Sequence, residues 1–115
     1  MNDLKVIQIL KNDLGFSNSS IEKIKKFNNY LLQYNKNYNL ISKSTVNDTW
    51  YRHILDSAQI IKFIDFTKIR NLADFGSGAG FPGLIIALYN ENPTFHVKLY
   101  EKSSVKRDFL KDLKN

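Results

Sequence analysis

Four glycines fall within eight residues, Gly76, Gly78, Gly80 and Gly83, and an acid, Glu101, stands 21 residues after the third of them. Glycine lets the backbone take positive φ and lets a ligand approach where a Cβ would clash. Before the glycines, Leu72–Phe75 is short and apolar apart from Asp74; after them, Leu84–Tyr89 continues as an apolar helical face. Pro82 suits the first position of that helix, where its missing N–H would be unpaired anyway. The order is therefore strand, glycine turn, helix. The helix N-terminus is expected to offer free N–H groups and a positive dipole end. A dinucleotide loop counted from Gly76 needs glycine at position 81, and Phe81 stands there. The loop instead reads D-x-G-x-G-x-G from Asp74 to Gly80. The bland alternative is a tight turn with no ligand, but one turn rarely needs four glycines.

A second group of interest lies upstream, in Arg52-His53-Ile54-Leu55-Asp56-Ser57. On a regular helix Arg52 and Asp56 are one turn apart and can pair. His53 and Asp56 can share the same face. Such a pair serves acid–base chemistry or a structural hydrogen bond equally well, and no nucleophile is visible beside it. The two histidines, His53 and His96, are far apart, and no His/Asp/Glu cluster has metal-ligand spacing, so no metal is expected. The chain has 0 cysteines, which excludes disulfides and thiolate metal sites and fits a reducing compartment.

These groups need elements to hold them. Leu4, Ile7, Leu10 and Leu14 recur at helical spacing and predict a helix over residues 3–13, ending near Gly15. Ser19 and Glu22 have capping-box spacing and predict the start of a second helix. Ile21, Ile24, Phe27, Leu31, Tyr34 and Tyr38 form its apolar face, read as core packing. Tyr34–Ser42 closes it in a polar, aromatic segment. Thr45–Phe63 predicts a third helix, with Trp50, Ile54, Ala58 and Ile61 on one side. Ile64–Arg70 is a linker with a turn. Phe95–Tyr100 predicts a second strand, and Ser103–Asn115 a further helix with Val105, Phe109, Leu110 and Leu113 apolar. The expected fold class is α/β, N-terminal helices followed by βαβα. Two regions are expected, residues 1–65 helical and residues 66–115 the beginning of the sheet.

At 115 residues and 43% hydrophobic, the chain is sized for one small globular domain with a core. The apolar run Leu84–Tyr89 is too short to span a membrane, and the N-terminus lacks a signal-peptide pattern, so a cytoplasmic monomer is expected. The net charge of +6 invites a nucleic-acid reading. It is weak support, because 14 of the 17 basic residues are lysine in a chain crowded with Asn and Ile, a bias that suits an A/T-rich genome.

The loop from Asp74 to Gly80 resembles motif I of the S-adenosylmethionine-dependent methyltransferases with a Rossmann-like sheet. Three stretches together narrow this: YNKNYNLIS (Tyr34–Ser42), RHILDS (Arg52–Ser57) and DFGSGAGFPG (Asp74–Gly83). They resemble the bacterial RsmG family, also called glucose-inhibited division protein B, and Glu101-Lys102 with Lys106-Arg107-Asp108-Phe109-Leu110 resembles its continuation. The resemblance covers the whole chain, as the N-terminal portion of the family. It implies an S-adenosylmethionine-dependent methyltransferase of 16S ribosomal RNA acting on guanine N7, with the small ribosomal subunit as partner. It places Gly76 and Phe81 at the cofactor, with Ser77, Gly78 and Gly80 forming the loop. Glu101 matches the acid that binds the ribose, about 20 residues beyond the loop, and Asp74 the acid at the strand end that braces it. No catalytic residue is assigned. The family's sheet has further strands, so this chain is expected to be a truncated version. The alternatives are a non-catalytic remnant or fragment with weak cofactor or RNA binding, and a methyltransferase of another substrate.

Overall fold

The computed structural model describes residues 1–113. Helix α1, Asp3–Asn12, is capped by Asn2, whose side chain accepts from the Lys5 amide at 2.8 Å. Of the expected stripe, Leu10 is buried and Ile7 and Leu14 pack against the core, while Leu4 is 73% exposed and Val6 is buried instead. Gly15, at φ 78°, turns the chain into α2, Asn18–Asn35. Ser17 caps α2 by accepting from the Ser20 amide at 3.0 Å. The expected cap at Ser19 is displaced by two residues, because Glu22 pairs with Lys25 at 3.1 Å and does not reach back to the helix start. Ile21, Ile24, Phe27 and Leu31 are buried along one face as expected. Tyr34 is half-buried and Tyr38 exposed.

The stretch from 43 to 63 stays helical but changes pitch. A 3₁₀ segment, Lys43–Asp48, leads into a π-helical segment, Trp50–Leu55. The short helix α3, Asp56–Ala58, and a second 3₁₀ segment, Gln59–Phe63, follow. The expected single regular helix is thus absent. The wide π turn changes which side chains share a face. Trp50, Ile54, Leu55, Ala58 and Ile61 are buried. Thr49 hydroxyl donates to Asn28 Oδ1 at 2.7 Å, tying this stretch to α2 through a buried hydrogen bond.

Strand β1, Asn71–Phe75, pairs in parallel with β2, His96–Tyr100, in a register running from Asn71↔His96 to Phe75↔Tyr100. Helix α4, Gly83–Tyr89, makes the crossover, and α5, Ser104–Leu113, follows β2. Pro82 is the cap of α4 and not its first residue, and the last two residues of the expected final helix lie outside the described residues. Period-two alternation puts Leu72, Asp74, Val97 and Leu99 on the side toward the helices. The other face, Asn71, Ala73, Phe75, His96, Lys98 and Tyr100, is exposed, and Phe75 stacks on Tyr100 there at 4.9 Å. Parallel sheets usually have both faces covered. One continuous core holds α1, α2, α4 and α5 together, from Val6 through Ile85 and Ile86 to Phe109. Each such side chain removed from water contributes about 1.5–3 kcal/mol.

Candidate functional site

The glycine loop is held from inside. Gly76 and Ser77 amides both donate to the Tyr100 carbonyl, at 2.7 and 3.0 Å, fastening the end of β1 to the end of β2. Ser77 hydroxyl donates to the Asp74 carbonyl at 3.0 Å, and the residue is 2% exposed. Gly80 and Phe81 amides donate back to the Ser77 carbonyl at 2.8 and 3.0 Å. Ser77 is therefore an internal brace whose hydroxyl is already engaged. Asp74 Oδ2 accepts from the Gly83 amide at 2.9 Å, which clamps the first turn of α4 to β1.

Three loop glycines have left-handed φ: Gly76 at 79°, Gly78 at 57° and Gly80 at 109°. A Cβ built on Gly76 or Gly78 meets nothing within 4 Å. One on Gly80 meets Leu84 Cβ at 3.0 Å, and one on Gly83 collides with Leu99 and lies 2.8 Å from Asp74 Oδ2. The loop therefore has an open side at Gly76 and Gly78 and a packed side at Gly80 and Gly83.

Glu101 is bonded to the loop at Gly78. Its Oε1 accepts from the Gly78 amide at 2.8 Å and its Oε2 from the Ser103 amide at 2.8 Å. The bonds from Ser103 and Gly78 hold its carboxyl below the usual range, with Lys106 adding to the effect. A carboxylate offers about four lone-pair sites. With two used, Glu101 keeps capacity for two more donors, as a vicinal diol supplies. Most of the expected free N–H groups are taken: the amides of Gly76, Ser77, Gly78, Gly80, Phe81 and Gly83 all have acceptors within the protein, while those of Ala79 and Ile85 have none among the described residues. The loop is a shaped space beside an acid, with most of its amides already bonded.

Phe81 turns toward the N-terminal helices. Its ring lies edge-on to Phe27 at 5.6 Å and stacks on His53 at 5.0 Å and 20°. His53 Nε2 is 2.8 Å from Thr45 Oγ1, and its hydrogen-bond partner is thus Thr45 rather than Asp56. No Arg52–Asp56 ion pair forms among the described residues. Burial, helped by Arg52, keeps His53 from protonating in its normal range, while Asp56 opposes this weakly. The structural hydrogen bond is the reading of His53 that has a partner. Among the described residues no three His, Asp or Glu side chains form a metal-holding group, and no helix is long and apolar enough to cross a membrane. Sequence reasoning missed the Tyr100 carbonyl and Thr45. The first is a backbone group with no residue signature, and the second lies eight positions from its partner across an irregular helix.

Residues 20–115 match the family model described as rRNA small subunit methyltransferase G. The chain is 38% identical over 108 residues to the ribosomal RNA small subunit methyltransferase G of Bartonella henselae, covering 93% of this chain and 49% of that protein. It is 38% identical over 108 residues to the protein of that name from Bartonella tribocorum, covering 93% of this chain and 50% of the relative. The protein of the same name from Rickettsia akari is 44% identical over 72 residues, 63% of this chain and 37% of the relative. The chain thus spans about half the length of the Bartonella relatives.

Proposed function

Since the chain belongs to the rRNA small subunit methyltransferase G family, we propose that it carries the S-adenosylmethionine site of a 16S ribosomal RNA methyltransferase that acts on guanine N7. The observation that supports this most is the empty space at Gly76 and Gly78 in a loop whose Gly78 amide is bonded to the Glu101 carboxylate. The residues fit the cofactor: Glu101 would take the ribose hydroxyls with its two remaining acceptor sites, and Gly76 and Gly78 leave room where any Cβ would intrude. Asp74 and Ser77 hold the loop's shape from beneath, and Phe81 anchors it to the helices. When bound, the cofactor supplies an electrophilic methyl group.

Guanine N7 has a lone pair and no proton to lose. The reaction needs no general base, only in-line placement, which accounts for a site without an acid–base pair. In this reading β1–α4–β2–α5 begins a Rossmann-like sheet, and residues 1–65 form a helical region that shares a core with residues 66–115. The exposed lysines Lys23, Lys25 and Lys26, with Arg107, would give salt-sensitive contacts to RNA phosphates. The protein would work as a cytoplasmic monomer. The uncovered sheet face carrying Phe75 and Tyr100 favours a narrower reading of this chain taken alone, cofactor and RNA binding without turnover. Tritiated methyl transfer to unmodified 30S subunits separates the two, and calorimetry against S-adenosylmethionine and NAD tests the cofactor. Tighter NAD binding defeats the proposal.

A further inference from the structure

We propose that His53 is a positioning residue for the glycine loop: by stacking on Phe81 and anchoring to Thr45, it holds the Ser77–Phe81 turn in the arrangement that leaves Gly76 and Gly78 open. The role rests on the reading of that loop as the cofactor site, but the contact itself does not depend on it.

The bond pattern supplies the reason. The fastenings of the loop to the strands are made by backbone groups, by Ser77 and by Glu101. Phe81 instead joins the loop to the N-terminal helices by a side chain, with its ring packed by Phe27 and His53. The Phe81 amide is one of the two that close the turn on the Ser77 carbonyl. A shift of the ring therefore pulls directly on that turn.

His53 is suited to fix the ring. Thr45 hydroxyl lies 3.0 Å from the Ser42 carbonyl, to which it donates. The bond between Thr45 Oγ1 and His53 Nε2 fixes the plane of the imidazole whichever of the two donates. An unanchored ring of similar size would fill the space without fixing that plane. The anchor also crosses the pitch change, since Thr45 sits in the 3₁₀ segment and His53 in the π turn. The wide turn thus serves to present the imidazole face to Phe81.

Amide hydrogen exchange followed by NMR tests this. In His53→Ala, exchange at Gly80 and Phe81 should quicken about tenfold, the scale of one lost aromatic pair. Exchange at Leu31, inside α2, should stay unchanged. His53→Phe, which keeps the ring but loses the anchor, should restore only part of the protection, and Thr45→Val, which frees the imidazole but removes little volume, should give a similar, smaller rise at the same two amides. Calorimetry with S-adenosylmethionine on the same proteins should show affinity falling in the order of loop loosening. Unchanged exchange at Gly80 and Phe81, or an equal rise at Leu31, overturns the positioning role, even if His53→Ala is too unstable and only Thr45→Val can be read. Loosening of the loop in a protein that binds no S-adenosylmethionine supports the positioning role and defeats the cofactor reading instead.

Discussion

Gly76 and Gly78 differ from Gly80 and Gly83, although one loop holds all four. The first pair has left-handed φ and empty space where a side chain would go. The second pair is crowded, Gly80 by Leu84 and Leu110, and Gly83 by Leu99 and Asp74. One pair keeps a surface clear, while the other lets α4 approach β2. Identical residues a few positions apart thus answer to different physics, open space on one side and packing on the other. Substitution should separate the two.

The largest effect should fall on the packed side. Gly83→Val places atoms onto Leu99 and Asp74, and should destabilise the fold by about 3 kcal/mol or more, the upper range for overpacking. Chemical denaturation reads it. On the open side, Gly78→Val has nothing to collide with in the protein and should cost only about 1–2 kcal/mol, from the left-handed backbone. In the folded protein it should still abolish cofactor binding by calorimetry. Equal stability losses at the two positions would erase the distinction. Asp74→Ala, which unclamps the Gly83 amide, should cost about 1 kcal/mol, as for other helix-start acceptors.

The smallest effect is a pH dependence at Glu101. Its carboxyl titrates lower in the fold than in the unfolded chain, because the Ser103 and Gly78 amides bond to the charged form. The stabilisation is therefore present above the unfolded value of about 4.3. It is lost as pH falls from there through the lower folded value. Thermal melts of wild type and Glu101→Gln should differ at neutral pH and converge in acid, and a constant difference across that window would contradict the assignment.

Much of this was legible in the sequence. The glycine spacing located the loop, and the distance to Glu101 located the acid at the end of β2. The apolar stripe from Ile21 to Leu31 located the buried face of α2. Legibility failed where the outcome depended on pitch or on backbone. The RHILDS stretch suggested helical pairs of Arg52, His53 and Asp56, but Trp50–Leu55 winds as a π turn and His53 meets Thr45. No residue pattern distinguishes that turn from a regular one. The expectation of free amides failed across most of the glycine loop for a related reason. Acceptors such as the Tyr100 and Ser77 carbonyls belong to every residue type, and only the folded chain shows which donors they take.

The central claim is that a cofactor lies on the open side of the loop, against Glu101. A titration of the isotopically labelled chain with S-adenosylhomocysteine, followed amide by amide, tests it most directly. The amides of Gly76, Gly78 and Glu101 should shift first and furthest, with Gly83 moving little. No shifts at millimolar ligand, or shifts centred instead on the groove lined by Lys23, Tyr30 and Leu88, would contradict it.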